Sequence, residues 1–123
     1  NAAIDIVLEK LNEKNKKILI FSENIHGIQV LSTLLKNRNI KSDILYGNSE
    51  TLKKILNEYR NKDLNVLLLN AKNYGSGLNL ENSTDLIIMH KMKPEYEEQV
   101  IGRAQRPGRK GVLNVWKILY ENE

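Results

Sequence analysis

Three runs of four consecutive apolar residues dominate this chain: Ile18-Leu19-Ile20-Phe21, Val66-Leu67-Leu68-Leu69 and Leu86-Ile87-Ile88-Met89. Each is too short for a helix of ordinary length and far too short to span a membrane. None alternates with polar residues, so each reads as a strand covered on both faces, the pattern of a parallel sheet rather than of an antiparallel one. Between the runs the period changes. Ile4, Val7, Leu8 and Leu11 form an i, i+3, i+4, i+7 stripe, and so do Ile28, Leu31, Leu34 and Leu35, ending in the polar Lys36–Asn39. Leu52, Ile55, Leu56 and Tyr59 mark a third helix, with Ser49 expected as its cap after Gly47-Asn48. Pro94 suits a first helical position, and Tyr96, Val100 and Ala104 continue one face until Pro107, Gly108 and Gly111 end it. The strands are expected at Lys17–Ser22, Ile40–Tyr46, Asn65–Asn70, Asp85–His90 and Val112–Tyr120, with a Gly-rich loop, Lys72–Ser83, ahead of the fourth. Strands and helices in this alternation predict an α/β fold of three layers, a five-stranded mostly parallel sheet with helices on both faces. Ligands of such sheets collect beyond the carboxyl ends of the strands.

Composition removes several classes of function. The 123 residues contain no cysteine, so disulfide frameworks, thiolate catalysis and Cys-based zinc sites are excluded. His26 and His90 have no second ligand at metal-binding spacing and read as surface or packing residues. There is no G-x-x-x-x-G-K-[ST] phosphate loop and no G-x-S-x-G elbow, and no acidic pair at a strand end suggests a magnesium site. Gly75-Ser76-Gly77 opens like a dinucleotide fingerprint, but Leu80 stands where the third glycine belongs. The first residue is Asn1, with the first helical stripe following at once, and a domain cut from a longer protein is expected.

The sharpest local signal is basic. The net charge is +4, and the stretch Gln99–Gly111 alone carries Arg103, Arg106, Arg109 and Lys110 with no acid. The remaining basic and acidic residues balance, so the whole excess sits in thirteen residues. Three of the five arginines fall within Arg103–Arg109, in a chain that elsewhere prefers lysine. Arginine presents a planar fork of donors that grips phosphate oxygens in pairs and never deprotonates. Arg103 and Arg106, spaced i, i+3, project from one side of a helix end.

Gln99-x-x-Gly102-Arg103-x-x-Arg106-x-Gly108-Arg109 resembles motif VI of superfamily 2 helicases and translocases. Tyr74-Gly75-Ser76-Gly77-Leu78-Asn79-Leu80 resembles their motif V, and Lys17–Glu23 their motif IV strand and turn. The matches occur in order from Lys17 to Tyr120, closest in style to Snf-type remodellers and helicase-like proteins of large DNA viruses. The resemblance implies that residues 1–123 form a helicase C-terminal domain, the second RecA-like lobe of a two-lobe motor. The N-terminal lobe of the same polypeptide would supply the phosphate loop and the Mg²⁺-binding acids, and ATP would lie between the lobes. Carried over by position, Arg106 matches the arginine finger, Arg103 its partner arginine, and Gln99 the glutamine that leads the motif. Gly75, Gly77, Asn79 and Gly102 match positions that bind ATP or couple its cleft to nucleic acid. Ser22, Glu23, Lys72 and Tyr74 fall where relatives approach the nucleic-acid backbone. Ala71 stands in place of the usual Ser or Thr, Tyr74 in place of a glycine and Glu23 in place of a glutamine.

The expectations that follow are an ATP-dependent helicase or translocase acting on DNA or RNA inside the cell, with no membrane partner. ATP and Mg²⁺ belong to the full-length protein. The isolated lobe is expected to be monomeric, inactive and without a tightly bound cofactor. Two other readings stay open at this point: a helicase-like platform that has lost hydrolysis, and an unrelated small α/β domain binding a phospho-ligand through Gly75–Leu80.

Overall fold

The computed structural model describes residues 2–11, 13, 16–22, 25–45, 47–61, 64–70, 83–89, 94–95, 98, 101 and 114–118. Among these, the order is α1 (Ala2–Leu11), β1 (Ile18–Ser22), α2 (Ile25–Asn37), β2 (Ser42–Leu45), α3 (Ser49–Arg60), β3 (Val66–Asn70), β4 (Asp85–Met89) and β5 (Asn114–Ile118). Pro94, Glu95, Glu98 and Ile101 also have helical backbone, as expected of the segment that Pro94 opens.

The five strands form one sheet in the order β2-β3-β1-β4-β5, and every pairing is parallel. Each apolar run is a strand covered on both faces, as the sequence implies, and the side chains show why. Leu19 and Phe21 of β1, Leu67 and Leu69 of β3, and Leu86 and Ile88 of β4 point to one face, where Ile55, Leu56 and Tyr59 of α3 pack on them. Ile18 and Ile20, Val66 and Leu68, and Ile87 and Met89 point to the other, against Ile4 and Val7 of α1 and Ile28, Leu31 and Leu35 of α2. A continuous apolar strand thus serves two cores at once.

The two outer strands depart from that pattern. β2 and β5 lie at the sheet edges, and β2 begins at Ser42, two residues after the expected Ile40. β5 alternates, with Asn114, Trp116 and Ile118 half-buried and Val115 and Lys117 exposed. An edge strand has one neighbour and one covered face, so only every second residue needs to be apolar. Lys117 on such an edge also discourages pairing with another chain.

Local signals fix the helix ends. Asn48, not Ser49, caps α3: its side-chain oxygen accepts the Thr51 N–H at 2.9 Å, and Ser49 is the first helical residue. Gly47 reaches this cap with φ +107, and a β-carbon there would sit 3.1 Å from Thr51. α2 closes through Asn39 at φ 59, with the Asn39 and Ile40 N–H groups donating to Lys36 and Leu35 carbonyls at 3.0 Å each. That is a Schellman closure, and Ile40 packs on the cluster containing Leu35. No helix among the described residues is long and apolar enough to cross a membrane.

Candidate nucleotide-facing edge

Because all five strands are parallel, Ser22, Leu45, Asn70, Met89 and Ile118 end at the same edge of the sheet. The connections that leave β1 and β4 at this edge go to opposite sides. After β1 the chain enters α2, which packs on the face of Ile18 and Ile20. After β4 it reaches Ile101, which packs on the other face with Leu19, Phe21 and α3. β1 and β4 are neighbours. Adjacent strands whose connections diverge leave a crevice between their carboxyl ends, the usual ligand position in an open α/β sheet. Glu23 directly follows Ser22 at that point, and Ile101 directly precedes Gly102 and Arg103.

Of the catalytic, nucleotide-binding and nucleic-acid-binding residues expected from the sequence, Ser22 alone is described. It ends β1 in register with Asn70 and is fully buried. The Ser22 hydroxyl thus lies within the carboxyl edge of the sheet, between β3 and β4. Gln99, Gly102, Arg103 and Arg106, Gly75, Gly77 and Asn79, and Glu23, Lys72 and Tyr74 lie outside the described residues. So does His90, while His26 is exposed on α2. Among the described residues no group of three His, Asp or Glu side chains could hold a metal ion.

The opposite, amino edge carries a polar network that sequence reading missed. The Asp85 carboxylate is fully buried and accepts from Asn114 Nδ2 at 3.1 Å, Trp116 Nε1 at 3.4 Å and Thr84 Oγ1 at 2.9 Å. Lys16 Nζ stands 3.5 Å from its other oxygen and 3.7 Å from Glu13. Lys10 pairs with the same Glu13 at 3.3 Å and lies 5.2 Å from the centre of the Trp116 ring. Beside them, the buried Lys17 donates to the Leu64 carbonyl at 2.7 Å, with its ammonium 5.4 Å from the Tyr59 ring centre. Tyr59 and Ser83 share a hydroxyl hydrogen bond of 2.7 Å, both side chains fully buried. The one sequence cue was the polar Ser83-Thr84-Asp85 triplet ahead of an apolar strand, which reads equally well as the end of a loop.

Comparison with known proteins gives the site its context. The model of the helicase conserved C-terminal domain matches residues 2–109. "Putative helicase R592" of Acanthamoeba polyphaga mimivirus is 41% identical over 112 residues, covering 91% of this chain and 13% of that protein. The mouse "DNA excision repair protein ERCC-6-like" is 29% identical over 118 residues, covering 92% of this chain and 10% of that protein. The "ISWI chromatin-remodeling complex ATPase ISW2" of Saccharomyces cerevisiae is 27% identical over 124 residues, covering 97% and 11%. The chain thus spans about a tenth of the length of these curated relatives. Among solved structures, "Crystal structure of the C-terminal part of Fun30 ATPase domain" has a TM-score of 0.87 at 24% identity, covering 98% of this chain and 41% of that one. At that identity the likeness establishes the fold. With five parallel strands, helices on both faces and a family match running through the arginine motif, the chain belongs to the helicase conserved C-terminal domain family, as a RecA-like lobe of the superfamily 2 kind.

Proposed function

We propose that this lobe is the second half of an ATP-driven superfamily 2 motor acting on DNA or RNA within the cell. Its arginines would complete an ATPase site whose phosphate loop and Mg²⁺-binding acids belong to an N-terminal lobe of the same polypeptide. The observation that carries this reading is the extent of the family match. It continues to residue 109 and so takes in Gln99, Gly102, Arg103, Arg106 and Arg109. The divergence of the β1 and β4 connections supports it, because it leaves at this edge of the sheet the crevice where ligands of such folds collect.

In this reading Arg106 reaches across the cleft to the γ-phosphoryl oxygens, and Arg103 assists from one helical turn earlier. Charge spreads over those oxygens in the loose transition state, and a preplaced guanidinium stabilises it without reorganisation. Fingers of this kind supply roughly 10³–10⁵ in rate. Gln99 orients the nucleotide or the attacking water, and Gly102 leaves room for close approach to the backbone. Gly75, Gly77 and Asn79 link that cleft to the nucleic acid, which Glu23, Lys72 and Tyr74 approach. Hydrolysis and strand movement are thereby coupled in one lobe. ATP and Mg²⁺ are held chiefly by the partner lobe, so the 123-residue lobe alone is a monomer without measurable turnover.

The test is Arg106→Ala in the full-length protein, assayed with duplex DNA and with single-stranded RNA as stimulants. Stimulated hydrolysis is expected to fall by about a thousandfold or more, with nucleotide affinity little changed. Unchanged turnover in the variant overturns the assignment. A wild-type protein that binds nucleic acid without hydrolysing ATP replaces the motor reading with that of a binding platform.

A further inference from the structure

We propose that Lys36, Arg38 and Lys41, on the turn from α2 into β2, form a second contact for the phosphate backbone of nucleic acid, apart from the crevice at β1 and β4. The inference rests on the motor reading above for the kind of polyanion, and on the placement of free charge for the surface itself. The described cations divide into two groups. Lys10 and Lys16 are held in ion pairs, Lys17 is buried on the Leu64 carbonyl, and Arg60 and Lys117 are also engaged. Among the described residues, Lys36, Arg38, Lys41, Lys53 and Lys54 are exposed and have no ion pair or side-chain hydrogen bond. These five belong to α2, α3 and the turn between α2 and β2. Glu50 stands one helical turn before Lys53 and Lys54 on α3. The charge of Lys36, Arg38 and Lys41 has no such answer: no Asp or Glu occurs from Ile25 to Ser42. Asp43, the next acid, is half-buried, and its Oδ1 accepts the Ile44 N–H at 2.9 Å.

Basic residues at a helix end often serve its unpaired carbonyls and its dipole. Here the backbone already serves the carbonyls. The Arg38 and Ile40 N–H groups donate to the Leu35 carbonyl at 3.1 and 3.0 Å, and the Asn39 N–H donates to the Lys36 carbonyl at 3.0 Å. Asn39, at φ 59, turns the chain between Arg38 and Lys41. A set of cations that the lobe does not neutralise suits a repeating anion, and a phosphate backbone offers one charge per nucleotide. The turn also lies away from the crevice. Ser42 is in register with Val66 and so level with Ile18 at the start of β1, whereas the crevice lies beyond Ser22 at its end. With β3 between β2 and β1, the two places are separated by about 10 Å across the sheet and about 13 Å along it. They open on opposite edges, so a straight duplex meets one or the other. Three cations on the turn, against four in Gln99–Gly111, then leave the steepest salt dependence of duplex binding with the arginine segment. A flexible single strand can reach both.

The experiment uses the full-length protein with poly(U) RNA as the probe and poly-glutamate as the comparison polyanion. Lysine acylation, read by mass spectrometry, is expected to show Lys36 and Lys41 protected by poly(U) and not by poly-glutamate. Lys117, on the edge strand at the other side of the sheet, should keep its reactivity with both. In the triple variant Lys36→Gln, Arg38→Gln and Lys41→Gln, the log–log salt slope of poly(U) binding should become shallower by about 2, from three contacts at about 0.7 each on a single strand. Absence of protection by poly(U), or an unchanged slope in the variant, overturns the proposal. Equal protection by poly-glutamate also overturns it and makes an acidic protein the partner. Failure of the underlying motor reading looks different: no ATP turnover by the wild type, or normal turnover in Arg106→Ala, with the protection of Lys36 and Lys41 unaffected.

Discussion

Asp85→Asn is the most direct test of the amino-edge network, because it changes one atom's chemistry without changing volume. The carboxylate accepts from Asn114 and Trp116 on one oxygen and from Thr84 on the other, which also faces Lys16. An asparagine can keep its oxygen toward Asn114 and Trp116. Its NH₂ group then faces an ammonium that cannot accept, and the Thr84 hydroxyl must turn its proton to the Lys17 carbonyl, 3.1 Å away. Loss of a hydrogen bond to a charged group, with an amide donor left facing the ammonium, costs about 1–3 kcal/mol. The Lys16 side chain is 17% exposed, so the long ion pair adds under about 1 kcal/mol to this. At about 2.1 cal/mol/K of unfolding entropy per residue, 1 kcal/mol corresponds to about 4 °C in a chain of this length. A fall in Tm of about 4–12 °C is expected by circular dichroism, with the urea midpoint lowered and the m-value unchanged. A fall below about 1 °C, equivalent to about 0.3 kcal/mol, refutes the view that the buried carboxylate organises β1, β4 and β5.

The helix cap and the basic segment give two further tests. Asn48→Ala should cost about 1 kcal/mol of stability through the lost Thr51 N–H bond, while Ser49→Ala, at a first helical position, should leave the urea midpoint unmoved; the reverse order would return the cap to Ser49. Binding of the isolated lobe to duplex DNA should be weak and no steeper in log–log salt dependence than about −3.6, from four basic residues at about 0.9 each. Nanomolar affinity in 0.15 M salt, an ionic strength at which surface charges are screened beyond about 8 Å, would show that a broader surface takes part.

Much of the fold was legible because the central strands leave little choice. Ile18–Phe21, Val66–Leu69 and Leu86–Met89 cannot be satisfied by a single covered face, and the helical stripes between them supply the second. The edge strands were harder to delimit. In β5 the half-buried Asn114, Trp116 and Ile118 alternate with exposed residues, and nothing local says where pairing with β4 stops. The cap was misplaced by one residue because Asn48 and Ser49 are both good capping types, and backbone geometry at Gly47 decides between them. Family membership was legible in the arginine and glycine motifs, which the family match takes in. The burial of Ser22 was not legible, since a serine at a strand end looks the same whether it faces solvent or its neighbour β3. The amino-edge network left only the ambiguous Ser83-Thr84-Asp85 triplet in the sequence. Its members come from positions 10, 13, 16, 17, 59, 64, 83, 84, 85, 114 and 116, and only the folded sheet brings them together.

The central place of β1 has a consequence for how the chain is made. β1 is paired on both sides, yet both partners come late: Leu64 and Thr84, the residues bonded to Lys17, follow it by 47 and 67 residues. During synthesis at about 5–20 residues per second, the most apolar strand of the sheet therefore waits roughly 3–13 s for its second neighbour. Such distant pairings also slow folding once the chain is complete, because loops must close before any contact rewards them. Ile18-Leu19-Ile20-Phe21, without charge or proline, is the type of segment that self-associates when left exposed. Expression at lower temperature, or with a holdase chaperone present, should therefore raise the soluble yield of this lobe more than any substitution on its surface.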